Sequence, residues 1–108
     1  GLDAEQWAAL PSQLARGRAG ALAGVGVPQA LDMLLKVCHD AMAAATGAPG
    51  GYFEPGRLPA GLSLTTLARW QRELLQLAKA SEHPWHEGLA IDAMVATAQR
   101  ALASSPRQ

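Results

Sequence analysis

Only one cysteine, Cys38, occurs in 108 residues. That excludes a disulfide framework and every zinc site built on several cysteines. Residues that favour sheets are also scarce, with four Val, one Ile and five aromatic side chains, so strands are not expected. Neither sign of charge is in excess, since nine Lys and Arg stand against nine Asp and Glu. A domain that grips nucleic acid or an anionic membrane surface normally carries a basic surplus. No apolar run approaches the roughly 18 residues of a membrane span, and no signal-peptide pattern is legible. The expected location is the cytoplasm.

What the chain does have is alanine and leucine: 23 Ala and 16 Leu among 53 apolar residues. Both are strong helix formers. A chain of this length makes one domain, and surface scaling gives about 65% of the unfolded surface buried, enough for one small core. The composition therefore predicts an all-α fold, a small bundle of four to five helices. A single domain over 1–103 is expected, with the tail from Ser104 to Gln108 fraying for want of apolar periodicity. The opening Gly1-Leu2-Asp3, without Met, reads as a domain cut from a longer protein whose missing part lies upstream.

Helical periodicity locates the elements. Trp7, Leu10 and Leu14 recur at helical spacing after Asp3, a natural N-cap. Pro11 lacks a donor, so this segment is either one kinked helix or two short ones, stopped by Gly17. A glycine-rich connector follows. Pro28 suits the N1 position of a second helix, whose stripe is Leu31, Leu34, Leu35, Cys38, Met42 and Ala45. Asp32, Lys36 and Asp40 form a ladder of alternating charge on its polar side, and Gly47 serves as its C′ residue. The segment from Ala48 to Gly61, with four Gly and three Pro, is an irregular connection whose Tyr52 and Phe53 are expected to tuck against the bundle. Ser63 caps a third helix bearing Leu64, Leu67, Trp70, Leu74, Leu77 and Ala78 on one face and Arg69, Arg72, Glu73, Gln76 and Lys79 on the other. Glu82-His83-Pro84 breaks it. The last helix starts between Pro84 and Glu87, ends near Ala103, and buries Ile91, Met94, Val95, Ala98 and Leu102.

Chemistry is thinly signalled. The glycines around Gly24 and Gly50 match no phosphate-binding loop and follow no strand. Two His and two carboxylates gather in Glu82-His83-Pro84-Trp85-His86-Glu87, but Pro84 interrupts the backbone, and neither H-E-x-x-H nor E-x-x-H spacing is present. No metal and no cofactor is expected. Cys38 falls on an apolar stripe, where a buried thiol is inert. Asp32, Asp40, Glu73 and Asp92 are placed on polar helix faces as solvated charges. Trp7 and Trp70 belong to the core, whereas Trp85, after a helix-breaking proline, either plugs the bundle end or anchors an interface. No catalytic group stands out.

Three stretches resemble one bacterial family: Leu10-Pro11-Ser12-Gln13-Leu14-Ala15-Arg16-Gly17, Ala19-Gly20-Ala21-Leu22-Ala23-Gly24, and Ala30-Leu31-Asp32-Met33-Leu34-Leu35-Lys36-Val37-Cys38-His39-Asp40. So does the run from Leu67-Ala68-Arg69-Trp70-Gln71-Arg72-Glu73-Leu74 through Glu82-His83-Pro84-Trp85. Together they look like the C-terminal domain of the delta-prime subunit of DNA polymerase III, a clamp-loader component, over roughly Leu2 to Leu102. The sharpest marks are the Cys-His-Asp and Glu-His-Pro-Trp segments. The family's ATPase-like domains and zinc module have no counterpart in this sequence. The resemblance implies a collar, or oligomerisation, domain that packs against other clamp-loader subunits and meets DNA only through the whole complex. It implies no catalysis by this domain itself, within a parent assembly that is a DNA-directed DNA polymerase, a nucleotidyltransferase. An independent helical nucleic-acid-binding domain is the alternative, followed by a small metal-binding bundle. Residues not needed by the core stripes are the interface candidates: Leu62 and Leu64 at a helix start, Leu75 off the main face, and Trp85 at the helix break.

Overall fold

The computed structural model describes residues 3–79 and 87–103. Four α-helices and one 3-10 turn make up the regular structure, and no strand occurs among the described residues. Helix α1 covers Ala4–Ala15, the 3-10 turn Gly20–Leu22, α2 Val27–Ala45, α3 Leu64–Lys79 and α4 Glu87–Ala103. The all-α bundle is thus the observed fold, and its boundaries fall where local chemistry sets them.

Asp3 opens α1 with a full capping box: its carboxylate accepts from the Gln6 N–H at 2.7 Å while the Gln6 side chain accepts from the Asp3 N–H. Two of the orphan donors at the helix start are satisfied in this way. Pro11 lies inside α1, yet the helix runs unbroken from Ala4 to Ala15. The ring is buried in the core, so packing offsets the missing ladder bond. Gly17 takes the left-handed conformation (φ +73°), its N–H donates to the Leu14 carbonyl, and the Arg18 N–H donates to that of Gln13. This Schellman closure recurs at the end of α2, where Gly47 (φ +79°) donates to Ala44 and Ala48 donates to Ala43. Ser63 caps α3 through its hydroxyl, 3.2 Å from the Thr66 N–H. Pro28 sits one residue further in than expected, at N2, because the helix begins at Val27 with Gly26 as N-cap.

Helix α2 is the spine. Val27, Ala30, Leu31, Met33, Leu34, Val37, Cys38 and Ala41 are all buried, a broader arc than the stripe read from sequence, because α2 contacts both α3 and α4. Ala45, assigned to that stripe, is exposed in the last turn, beyond the reach of its neighbours. Helices α2 and α3 run antiparallel: the Cys38 thiol reaches the Leu67 carbonyl at 3.5 Å, while Val27, at the other end of α2, lines a cleft with Leu74 and Leu77. Helix α4 lies across this pair and against α1, burying Ile91, Met94, Val95, Ala98, Ala101 and Leu102.

The connection between α2 and α3 is held down at one point. Asp40, placed on a solvated face by the sequence reading, is only 2% exposed. Its Oδ2 accepts from the Tyr52 and Phe53 N–H groups at 2.9 and 2.7 Å, and its Oδ1 lies 2.9 Å from His39 Nδ1. A carboxylate can be buried when charge-assisted hydrogen bonds replace its water. The predicted charge ladder therefore stops at Asp32 and Lys36, paired at 3.0 Å. Phe53 stacks on Trp7 with ring centroids 4.6 Å apart, and Trp7 Nε1–H donates to the Tyr52 carbonyl at 3.1 Å. Trp7 is accordingly a half-buried clasp for this connection rather than a fully buried core residue. Tyr52 stays 46% exposed beside His39 and Lys36.

Candidate interaction surface

Helix α3 carries two apolar edges. Leu67, Trp70 and Leu74 recur at i, i+3 and i+7 and are buried. Leu64, Ala68, Gln71 and Leu75 recur at i, i+4, i+7 and i+11, a second row rotated away from the first. On that row Leu64 is 44% and Leu75 46% exposed. The assignment of Leu64 to the buried face therefore does not hold, because an open groove separates it from α2. Leu64 and Gln71 face His39, Met42 and Ala43 of α2, and its C-cap Thr46, across an open groove of about 540 Å³ that Ala48 and Pro49 also line. The seam between α2 and α3 thus presents the half-exposed Leu64, and Leu75 continues the same row of α3 beyond it.

Of the four interface candidates, the structure brings Leu64 and Leu75 onto one face. Leu62 is partly buried and packs on the core. Trp85 lies outside the described residues, as do His83, His86 and the tail from Ser104. Among the described residues no three His, Cys, Asp or Glu side chains come together as a metal site would require. No described helix is long and apolar enough to cross a membrane.

Cys38 has no exposed surface, and burial pushes its thiol up to about 12. At neutral pH it is fully protonated and makes a weak bond to the Leu67 carbonyl, a packing role and not a nucleophile's.

Sequence reasoning missed a second cleft. Val27, Leu74, Leu77, Ala90, Ala93 and Met94 enclose about 370 Å³ between α3 and α4. Its signal lay in Ala90 and Ala93, two small side chains one turn apart that leave space opposite the leucines of α3. It also missed Asp40, whose partners lie 12 and 13 positions away. No protein-family model, curated protein or solved structure matches this chain.

Proposed function

We propose that this domain is an assembly module, the collar-type oligomerisation domain of a bacterial clamp-loader subunit of the delta-prime kind. Its partners are the helical domains of neighbouring clamp-loader subunits. It contributes contacts rather than catalysis, carries no cofactor of its own, and meets DNA only through the assembled complex in the cytoplasm. The family part of this reading rests on the sequence segments quoted for it, and the four-helix fold agrees with them.

The observation that carries the assembly reading is the second apolar edge of α3. Leu64 and Leu75 are not consumed by the domain's own core, yet they sit on one row of α3, with Met42 across the groove from Leu64. Covering two half-exposed leucines contributes about 1 kcal/mol each, or roughly thirtyfold in affinity together. In the full-length subunit, Leu64→Ser combined with Leu75→Ser should leave the thermal melt of this domain nearly unchanged. The same pair should weaken complex formation with the other subunits roughly thirtyfold by analytical ultracentrifugation. Wild-type assembly by that variant would sink the surface assignment. Failure of the wild-type full-length chain to join a clamp-loader complex would sink the family reading.

A further inference from the structure

His39 stands on the α2 wall of the groove, beside Met42 and across from Leu64 and Gln71 of α3. Its ring is held at two points. Nδ1 lies 2.9 Å from Asp40 Oδ1, and the Tyr52 ring meets it edge to face with centroids 5.3 Å apart. Even so, 56% of the His39 side chain is exposed. The buried carboxylate decides which nitrogen carries the proton, because an ionised carboxylate only accepts. The other oxygen of Asp40 is taken by the Tyr52 and Phe53 N–H groups. Neutral His39 therefore keeps its proton on Nδ1, and Nε2, on the far edge of the ring, is left as an acceptor. Nothing among the described residues donates to it.

The charges around the ring call for a positive partner. With His39 neutral, no residue lining the groove carries a charge. Lys36, whose Nζ lies 5.6 Å from the Tyr52 ring centroid, is neutralised by Asp32 at 3.0 Å. Asp40 is thus the uncompensated charge, and it sits behind the imidazole. Resting on the assembly reading, we infer that His39 selects the partner that enters this groove. The neighbouring subunit lays a cationic donor, the ammonium of a Lys or the guanidinium of an Arg, on Nε2 while an apolar side chain covers Leu64. Filling the groove strips water from Nε2, and a buried acceptor left unmade is costly, so a surface without the donor is rejected. Asp40 is the positioning residue, fixing the ring and its tautomer. A proton on Nε2 would turn the acceptor into a donor and set cation against cation. The charged or titratable groups around His39 are Asp40, Lys36 and Asp32 on α2 and Tyr52 on the connection. From α3 the groove receives Leu64 and Gln71, which do not titrate.

The test follows complex formation by the full-length subunit from about pH 8 to about pH 5.5, the interval in which imidazoles take up a proton, at constant ionic strength. Wild type should lose at least about tenfold in affinity on acidification, as a charge-assisted hydrogen bond is lost. His39→Leu keeps the bulk and removes the acceptor. It should be weakened by about the same factor at the upper pH and lack the acid-dependent loss. His39→Gln, which retains an acceptor oxygen, should recover part of the affinity there and also lack that loss. Thermal melts show whether each variant is folded, and if His39→Leu is not, the pH profile of His39→Gln decides. Wild-type assembly by His39→Leu at the upper pH overturns the inference, and so does one pH profile shared by all three chains. Tighter assembly at low pH overturns it as well, since the partner then brings a carboxylate. The Leu64 and Leu75 variant tests the surface itself separately, and a wild-type chain that joins no complex overturns both readings.

Discussion

Gly50 lies directly against the Asp40 carboxylate, so close that a β-carbon on Gly50 would overlap it. The carboxylate cannot step aside, because the Tyr52 and Phe53 N–H groups and His39 Nδ1 fix both of its oxygens. Glycine is required at position 50 by this approach and not by backbone strain, since Gly50 is not among the positive-φ glycines.

Gly50→Ala should therefore destabilise the fold by about 1–3 kcal/mol, the usual cost of overpacking. Gly20→Ala is the control, because a β-carbon there meets nothing within 4 Å. Thermal melts compare the two. Fluorescence adds a local readout, since Trp7, stacked on Phe53, should change environment only in the first variant. Asp40→Ala should behave like Gly50→Ala, with about 1–3 kcal/mol lost as two backbone donors lose their acceptor.

Leu34 and Leu75 are the matched pair that separates folding from assembly. Leu34 is fully buried in α2, and truncation to Ala should cost about 2–5 kcal/mol. Leu75 is half exposed, and Leu75→Ala should change stability by about 0.5 kcal/mol or less. Chemical denaturation of the two variants gives both numbers.

Cys38 gives the pH dependence. Burial raises the thiol from an ordinary value near 9 to about 12 in the folded state, so the unfolded chain releases its proton first. The stabilisation is fully present below pH 9 and is lost as pH rises toward 12. Wild type should accordingly lose more stability between pH 9 and 12 than Cys38→Ala, whose own loss at neutral pH is a packing effect. At pH 8 a thiol reagent should label Cys38 only through unfolding, so labelling as fast as a free thiol would refute its burial.

Balanced charge leads to a fourth expectation. Binding of this domain to primed or duplex DNA should be no tighter than the non-specific range, about 10⁻⁴–10⁻⁶ M at physiological salt. A fluorescence-anisotropy titration giving submicromolar affinity with a steep salt slope would move the nucleic-acid reading ahead of the assembly reading.

The helices were legible because their signals are local. Asp3, Gly17, Gly47 and Ser63 each act within a few residues of themselves, and composition left no competing strand. Asp40 was not legible, since its position on α2 matches a solvated ladder and only the fold of a distant glycine-rich segment turns it inward. Trp7 was misread for the same reason: its spacing says core, but its partners are Phe53 and Tyr52. The candidate surface was half legible. Leu64 and Leu75 can be set on one row by counting turns, whereas the α2 side of the groove exists only once helices meet.

The pairing of α1 with α4 sets the order in which the molecule comes together. Cys38 and Leu67 touch across 29 positions, whereas Gly17 and Gln99 lie side by side about eighty positions apart. Closing the longer span costs about 1 kcal/mol more chain entropy. The α2–α3 pair, with the shorter closure and half of the buried leucines, is the natural nucleus, and α1 docks onto α4 last. The first helix is then also the first to let go, so its amides should exchange with solvent well ahead of those in α2.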